Sequence, residues 1–352
     1  MTVALLLVGF GNVARRFVEL IEESRAALAA LGATPIIVGI ATKHHGCVYD
    51  SAGLDAVGAA RMVAKGGAIG PAALPSTLEW VAQLRSQRAE TRVLIETTTL
   101  DIRSGEPAIS HVRGGFAAGA HVITANKGPA AFVYGALARE ANAAGVSFLF
   151  EGAVMDGIPV FNLVRETLPA TTIRGFRGVV NTTTNFILAA MERGQDFDQA
   201  LAEMQAAGVA EADPSLDLEG WDAAAKIAAL ANVFLDAGIT PHDVRREGID
   251  AAAGPRARAA MAAGKRLKLV ASAKRSEGKI DAAVELRELD ASDPLAILEG
   301  EANALELDTW PTGRIVITQR DNGLEKTACA LLTDLITVVK RERRRFGSHE
   351  DM

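Results

Sequence analysis

Apolar residues in the first half of the chain follow two patterns, short continuous runs and a helical period, and together these predict alternating strands and helices. A buried strand at residues 3–8 leads through a glycine turn into a helix over about 13–28, and a second strand covers 35–41. Strand, helix and strand in this order need a parallel sheet with helices on its faces. The alternation continues in strands at 92–96, 121–124 and 146–150 and in helices at about 107–118 and 129–144. This half is therefore predicted to be a doubly wound α/β sheet of the Rossmann type.

The pattern changes after Glu151, where longer and less regular segments replace the strict alternation. They predict strands at 174–180, 267–273, 280–288 and, as a pair, within 307–318, and helices from about 186, near 199–207, over 218–235 and over 328–339. We expect a nucleotide-binding domain at 1–145, completed by a return of the chain at about 306–352. Residues 146–305 then form an α+β catalytic and dimerisation domain.

Composition and charge narrow the class of protein. Of the 352 residues, 49% are hydrophobic and 23% are charged, which is the balance of a globular protein with a sizeable core. The formal net charge of −6 argues against nucleic acid or an anionic membrane surface as the main partner. The two cysteines have no partners at metal-ligand spacing, and no apolar run has the length of a membrane span. We expect a cytoplasmic protein that acts on a small molecule.

A glycine turn stands directly between the first strand and the first helix. It reads Gly9-Phe10-Gly11-Asn12-Val13-Ala14, a G-x-G-x-x-A pattern. The first glycine permits a tight turn, the second lets the backbone approach a pyrophosphate, and the small sixth residue allows close helix–strand packing. The helix N-terminus then faces the phosphates. We therefore predict dinucleotide binding through Gly9, Gly11, Asn12 and Val13; the alternative is a turn that serves packing alone.

The end of the second strand bears on the choice between NAD and NADP. An NAD site usually carries an acidic residue there to hold the ribose hydroxyls. This strand is followed by Thr42, Lys43 and His44 instead. Lys43, helped by His44, can meet the 2′-phosphate of NADP, so NADP is favoured and NAD stays possible. The alternative is two solvated basic side chains in a loop.

A second group of polar residues surrounds the predicted helix at 218–235. Asp222 and Lys226 are spaced i and i+4, with Glu219 on the same stripe, and so share a helix face. The loop before the helix adds further carboxylates, Glu211, Asp213 and Asp217. A substrate ammonium group needs carboxylate partners, and a carbonyl being reduced needs a proton donor, which lysine can be. The alternative is an ordinary surface ion pair.

Three segments carry a resemblance to a known family. Residues 121–129 read H-V-I-T-A-N-K-G-P, residues 151–159 read E-G-A-V-M-D-G-I-P, and residues 211–226 read E-A-D-P-S-L-D-L-E-G-W-D-A-A-A-K. In this order and along most of the chain they resemble homoserine dehydrogenase. The resemblance implies an NAD(P)-dependent oxidoreductase that reversibly transfers a hydride between L-homoserine and L-aspartate 4-semialdehyde, in amino-acid biosynthesis. We expect neither a fused aspartate kinase nor a C-terminal regulatory domain.

The resemblance also implies roles for individual residues. Lys226 is then the proton donor, and Lys127 faces both the nicotinamide and the substrate oxygen. The carboxylates that bind the substrate's amino and hydroxyl groups are Asp217, Asp222 and Glu211. Thr98, which follows a strand, contacts the cofactor; its alternative is a polar turn.

The same resemblance implies a cation and a second subunit. Glu151 begins a loop that holds a monovalent ion such as sodium in the family, with the backbone carbonyls of Val154 and Asp156 as further oxygen ligands. The alternative is that Glu151 only braces the loop. We also expect a homodimer that pairs through the sheet of the second domain, to which the strands at 267–273 and 280–288 belong.

Two positions depart from the family pattern. Thr182 replaces the glycine of an N-G-T-x-N turn, and a β-branched residue disfavours a positive φ. A glycine-rich loop near the nicotinamide appears here as residues 319–324, with one glycine. These departures leave two alternatives open: a related oxidoreductase acting on another small amino or hydroxy acid, and a dinucleotide-binding sensor without catalysis.

Overall fold

The computed structural model describes residues 1–71, 76–208, 210, 213–321 and 323–347. Contacts within the chain divide it into two compact units. Unit 1 contains Met1–Pro129, Val133–Asn162 and the chain from Gly323 on, and unit 2 contains Ala130–Phe132 and the chain from Leu163 up to that point. The predicted return of the chain at about 306 differs from this division, because residues 303–319 pair with strands of the second sheet.

Unit 1 is built on a six-stranded sheet in the order β3-β2-β1-β4-β5-β6. Its strands are β1 (Thr2–Val8), β2 (Thr34–Ala41), β3 (Cys47–Tyr49), β4 (Thr91–Glu96), β5 (His121–Thr124) and β6 (Phe148–Leu149). All neighbouring strands run parallel except β3, which runs antiparallel to β2. The predicted Rossmann-type sheet is confirmed.

Helices cover both faces of this sheet. They are α1 (Asn12–Glu23), α2 (Arg25–Ala30), α3 (Ala56–Ala64), α4 (Thr77–Ala82), α5 (Ala108–Ala117), α6 (Gly128–Ala144), α7 (Val160–Asn162) and, after unit 2, α13 (Leu324–Gly347). Leu5 and Leu7 point into the core that α1 and α13 complete, whereas Leu6 points into the core on the other face. Burial on both faces explains the unbroken apolar run of β1.

Unit 2 has a mostly antiparallel sheet in the order β12-β11-β7-β9-β10-β8. Its strands are β7 (Thr172–Val179), β8 (Arg245–Arg246), β9 (Lys265–Ser276), β10 (Lys279–Asp290), β11 (Asn303–Trp310) and β12 (Gly313–Gln319). Its helices are α8 (Thr182–Glu192), α9 (Phe197–Ala206), α10 (Ser215–Leu218), α11 (Trp221–Leu235) and α12 (Ala253–Ala262). Helices α8, α11 and α12 all contact β9, which lies at the centre of the sheet. This is the α+β arrangement that the sequence predicts.

Within the described ranges, no helix has the length and apolar character needed to cross a membrane.

Candidate active site

The glycine turn after β1 is tied to the strands on both sides. The Gly9 N–H donates to the Ala41 carbonyl at the end of β2, at 2.9 Å. Gly9 has φ +88, and a Cβ there would lie 2.6 Å from the Thr97 carbonyl carbon, so only glycine fits. At Gly11 a Cβ would meet nothing within 4 Å, which leaves open space beside the backbone. Because α1 begins at the next residue, its N-terminal N–H groups face that space, as a pyrophosphate site requires.

The turn between β2 and β3 is closed by Thr42. Its N–H and its hydroxyl both donate to the Gly46 carbonyl, at 3.1 and 2.8 Å. Lys43 and His44 are exposed at the tip of this turn. The turn therefore presents basic side chains to solvent at the strand end where ribose is bound in this kind of sheet.

A buried carboxylate lies at the end of β4. Glu96 is 0% exposed, and it accepts hydrogen bonds from the Thr98 N–H at 3.0 Å, from the Thr98 hydroxyl and from the Thr124 hydroxyl at 2.7 Å. His111 Nδ1 lies 3.5 Å from the same carboxylate. Three N–H or O–H groups thus converge on one anion, and they fix the turn that carries Thr98. Thr98 was predicted to contact the cofactor; in the structure its hydroxyl is engaged by Glu96.

Asn126 continues this network to the next strand end. Its N–H donates to the Thr124 hydroxyl oxygen at 2.9 Å, its side-chain amide donates to the Thr98 carbonyl at 2.9 Å, and its Oδ1 accepts from the Gly128 N–H at 2.8 Å. The bonds hold Lys127 between two fixed residues at the start of α6. Glu96 and Asn126 were not among the predicted site residues. A charged residue that ends an apolar strand was the available signal for Glu96.

In unit 2 one amide group joins two carboxylates. Nδ2 of Asn181 donates to Asp217 Oδ1 at 2.7 Å and to Asp222 Oδ2 at 3.0 Å. The Thr183 hydroxyl donates to the other oxygen of Asp217 at 3.0 Å. Asn181 also caps α8, since its Oδ1 accepts from the Thr184 N–H at 2.9 Å. Asn181 is a residue that sequence analysis missed, and it connects carboxylates that lie 36 and 41 positions further along the chain.

Lys226 completes this carboxylate cluster, which we define as Asn181, Thr183, Asp217, Asp222 and Lys226. Its Nζ lies 3.0 Å from Asp222 Oδ2 and donates to the Val180 carbonyl at 2.5 Å. The Lys226 side chain is 13% exposed and the Asp222 side chain 17%, so neither is an ordinary surface group. The predicted i,i+4 spacing brings the two side chains together, and the ammonium has fixed acceptors in Asp222 and the Val180 carbonyl.

Burial has the largest effect on the pKa of Asp217, the carboxylate at the centre of the cluster. Burial raises the pKa of the Asp217 carboxyl, and the neighbouring charge of Asp222 raises it further. The bonds from Asn181 and Thr183 and the charge of Lys226 act in the opposite direction. A cation placed against Asp217 therefore relieves an unfavourable negative charge.

Two expectations about the loops around the cluster are corrected. Glu219 does not share the helix face of Asp222, because Gly220 is left-handed with φ 78 and α11 begins only at Trp221. Thr182 needs no positive φ, because it is the first residue of α8 rather than part of an open turn. Its hydroxyl accepts a hydrogen bond from the Asn303 amide at 3.3 Å. The glycine-to-threonine departure is thus accommodated without backbone strain.

Two other predicted features fall partly or wholly outside the described residues. Glu211, a predicted substrate ligand, lies outside them. In the departing loop at 319–324, Arg320 and Asp321 are exposed, and Gly323 has φ 137 just before α13 begins.

The donor set around Glu151 is that of a bracing carboxylate. The N–H groups of Phe161 and Asn162 donate to its two oxygens at 2.8 and 2.7 Å, and the Asn162 side-chain amide adds a further bond. The Glu151 N–H in turn donates to Asp334 at 2.8 Å. These bonds support the bracing alternative for Glu151, and its predicted role as a sodium ligand stays a prediction. In the part of the chain that is described, no cluster of His, Cys, Asp and Glu is arranged to hold a metal ion.

The parallel sheet with its glycine turn defines the class of protein as one with a dinucleotide-binding fold of the Rossmann type. A family model described as homoserine dehydrogenase matches residues 159–336. The NAD(+)-dependent homoserine dehydrogenase of Pseudomonas canavaninivorans is 38% identical over 344 residues, which are 97% of each chain. The chain belongs to the homoserine dehydrogenase family.

Two further likenesses extend over nearly the whole chain. The homoserine dehydrogenase of Methanocaldococcus jannaschii is 32% identical, covering 97% of this chain and 99% of that protein. The crystal structure of a putative homoserine dehydrogenase from Archaeoglobus fulgidus has a TM-score of 0.83 at 29% identity, covering 96% of this chain and 99% of that one.

Proposed function

We propose that this chain interconverts L-homoserine and L-aspartate 4-semialdehyde with a nicotinamide dinucleotide, and that Lys226 carries the proton. The observation that supports this most is the position of the Lys226 Nζ, held between the Asp222 carboxylate at 3.0 Å and the Val180 carbonyl at 2.5 Å. A general acid–base must be fixed in place, and these two acceptors fix it.

In the direction of oxidation, the substrate hydroxyl loses its proton to Lys226 while the carbon that bears it loses a hydride. When bound, the nicotinamide supplies the hydride acceptor. The products are the aldehyde, the reduced nucleotide and one proton on the lysine. In the reverse direction the Lys226 ammonium returns the proton to the carbonyl oxygen, and Asp222 stabilises that ammonium beforehand. Lys127 is proposed to contact the nicotinamide and the substrate oxygen.

The carboxylates of Asp217 and Asp222 are proposed to bind the substrate's ammonium and hydroxyl groups, with Glu211 as a further ligand. Burial raises the pKa of Asp217, so its ionised form is costly until a cation arrives. A substrate ammonium group is such a cation. The cluster therefore favours an amino-acid substrate over a hydroxy acid that lacks the amino group.

For the cofactor we propose that the Gly9 turn, with Gly11, Asn12 and Val13, binds the pyrophosphate, that Thr98 lies beside the cofactor, and that Lys43 meets the 2′-phosphate of NADP. The exposure of Lys43 and His44 at the end of β2 supports this, as does the absence of an acidic residue between Ala41 and Cys47. One relative is named as NAD(+)-dependent. We accordingly propose that NAD is also accepted, with NADP gaining from Lys43.

Two further proposals concern assembly and ions. We propose a homodimer formed through the sheet of unit 2, to which β9 and β10 contribute the longest strands. Exposed Trp310, at 62%, and Val316, at 41%, lie on the β11–β12 hairpin of the same sheet and supply apolar surface for such pairing. A monovalent ion, if bound at the loop after Glu151, would rest on the backbone carbonyls of Val154 and Asp156, and no step above depends on it.

The deciding experiment is a spectrophotometric assay at 340 nm of the purified chain with L-homoserine and NADP+ or NAD+. We expect reduction of either nucleotide with homoserine and none with 4-hydroxybutyrate, which lacks the amino group. Lys226→Met should remove turnover while leaving nucleotide binding unchanged. Turnover of the hydroxy acid but not of homoserine would overturn the proposed substrate, and full activity of the Lys226 variant would overturn the proposed proton carrier.

A further inference from the structure

Lys268 is a buried lysine of unit 2 that has no role in the proposed reaction. It lies on β9, is 1% exposed and is among the largest fully buried side chains of the chain. Its Nζ donates to Asn185 Oδ1 at 2.9 Å and to the Leu298 carbonyl. Among the described residues no carboxylate lies within ion-pair distance of it. Burial lowers the pKa of Lys268 to about 8.

Burying a lysine at such a position costs free energy of folding. A buried ammonium without a bonded carboxylate loses its hydration and regains only two neutral acceptors, whereas an apolar side chain of similar volume would be favourable there. Val270, two positions further on the same face of β9, belongs to an apolar cluster with Leu298 and Ala302, and the charges of Glu192 and Glu299 act on Lys268 only from beyond ion-pair distance. The hydrogen bonds that Lys268 makes must therefore matter for something other than the stability of the core.

The acceptor Asn185 connects Lys268 to the carboxylate cluster. Besides accepting from Lys268, its Nδ2 donates to the carbonyls of Gly300 and Ala302, both at 3.1 Å. Its N–H donates to the Asn181 carbonyl at 3.2 Å, which places the two asparagines one turn apart on α8. Asn181 is the residue whose amide holds Asp217 and Asp222 together.

The first turn of α8 is thus anchored on β9 and on the segment at 298–302. This turn carries Asn181 and Thr183 against the carboxylates, and a helix that rotates or slides displaces both side chains together. Asn303, which follows the segment directly, donates to Thr182 at 3.3 Å and adds a second anchor.

We propose that Lys268 is a positioning residue for catalysis, which acts through Asn185 to hold the first turn of α8 where Asn181 and Thr183 order the two aspartates. The proposal rests on the proposed role of the carboxylate cluster. Lys268 touches neither substrate nor nucleotide in this scheme. Its effect is therefore confined to the step that needs Asp222 and Lys226 in register, and nucleotide binding by unit 1 does not depend on it.

The test compares Lys268→Met, which deletes the donor, with Lys268→Gln, which keeps an N–H donor at a neutral side chain. We expect kcat/KM for homoserine to fall at least about tenfold in the Met variant, as small misplacements of catalytic groups commonly do. The Gln variant should recover most of that loss, and the Kd for NADP+ should be unchanged in both. Lys274→Met is the matched control, because Lys274 is an exposed lysine on the same strand.

If the Lys268→Met variant does not fold, Asn185→Ser provides a second route. It removes the link between Lys268 and α8 and leaves Lys268 bonded to the Leu298 carbonyl. The double variant Lys268→Met/Asn185→Ser should have about the same kcat/KM as the less active of the two single variants, because both substitutions break the same connection. Additive losses, or wild-type kcat/KM in a folded Lys268→Met, would overturn the proposal. If Lys226→Met is inactive while Lys268→Met is not, only the positioning role fails and the proposed function stands.

Discussion

Asp222 and Lys226 lie one turn apart on α11, with 3.0 Å between Oδ2 and Nζ, and both side chains are mostly withdrawn from solvent. Removing the carboxylate by Asp222→Asn takes away the charge that holds the ammonium in place. We expect kcat/KM for homoserine oxidation to fall by roughly 10²- to 10⁴-fold, the range that general acid–base catalysis contributes. Steady-state kinetics check this, with Asp198→Asn on the exposed face of α9 as a control that should match the wild type. A loss below tenfold would contradict the pairing.

Asn181→Asp separates two roles of one side chain. The aspartate still caps α8, because an Asp oxygen accepts from the Thr184 N–H as well as an Asn oxygen does. It loses both hydrogen bonds to Asp217 and Asp222 and places a third carboxylate beside them. We expect the variant to be destabilised by about 2 kcal/mol at pH 8.

This destabilisation should depend on pH in a defined direction. Crowded carboxyls have a raised pKa when folded, so the folded variant binds more protons than the unfolded chain, and its stability falls as pH rises. Thermal unfolding at pH 5 and pH 8 should therefore show a larger deficit at pH 8. An equal deficit at both pH values would contradict the crowding of carboxylates, and no deficit at either pH would indicate that Asn181 acts as a cap alone.

Glu96→Gln tests the network that supports Thr98 and Lys127. The new amide presents N–H groups where the Thr98 and Thr124 donors require an acceptor, so at least one donor loses its partner. We expect the Kd for NADP+ to rise about tenfold, which corresponds to about 1.4 kcal/mol. Titration of the nucleotide by calorimetry measures this, and Glu79→Gln at an exposed position of α4 is the control. Unchanged nucleotide affinity together with unchanged kcat would show that the network is structural only.

Lys43→Ala tests the choice of cofactor. Loss of this positive charge should raise KM for NADP+ by about tenfold, because a 2′-phosphate carries close to two negative charges, while KM for NAD+ stays the same. Lys65→Ala, an exposed lysine at the end of α3, should change neither value. If the ratio of the two KM values is the same as in the wild type, Lys43 is a solvated loop side chain.

Because His121 is buried, we expect the stability of unit 1 to fall at acidic pH. Burial, together with the charges of Arg345 and Arg341, lowers the pKa of His121 to about 4. Its Nδ1 accepts from the Ser147 N–H at 3.0 Å, which requires the neutral ring. Unfolding therefore takes up a proton below the ordinary pKa of 6.5, and stability is lost as pH falls towards 4. Between pH 7 and pH 5 this amounts to about 2 kcal/mol.

The variant His121→Asn checks this account, since Asn Oδ1 can accept from the Ser147 N–H and does not titrate. Urea unfolding at pH 7 and pH 5 should show that the variant loses less stability than the wild type on acidification. His44→Asn, at an exposed position, should behave as the wild type does. Equal pH dependence in all three proteins would remove His121 as the cause.

How much of this structure the sequence predicts depends on how far apart in sequence the interacting residues are. The Gly9 turn and the Asp222–Lys226 pair were predicted because local periodicity decides them. Gly220 shows the limit of that logic, since one left-handed residue moved the start of α11 past Glu219. The fold class was predicted correctly, but nothing local indicates that β11 pairs with β7, more than a hundred positions earlier.

The polar networks were missed for the same reason. Glu96 and Asn181 look unremarkable in sequence, and their partners lie on other elements. Burial of Glu96 at 0% exposure follows only once β4 and β5 are adjacent. Residues of this kind are found by asking which buried polar groups have donors aimed at them, a question that needs coordinates.

The return of α13 to unit 1 also sets the order in which the protein can mature. Leu331, Leu335 and Val338 belong to the same apolar core as Leu5 and Leu7. During synthesis, the β1–α1 turn emerges from the ribosome first, yet the core beneath it is completed only by a helix made more than three hundred residues later. Nucleotide-binding competence should therefore appear late in translation, and unit 2, made in one continuous stretch apart from its short contribution at 130–132, can fold ahead of the unit that encloses it in sequence.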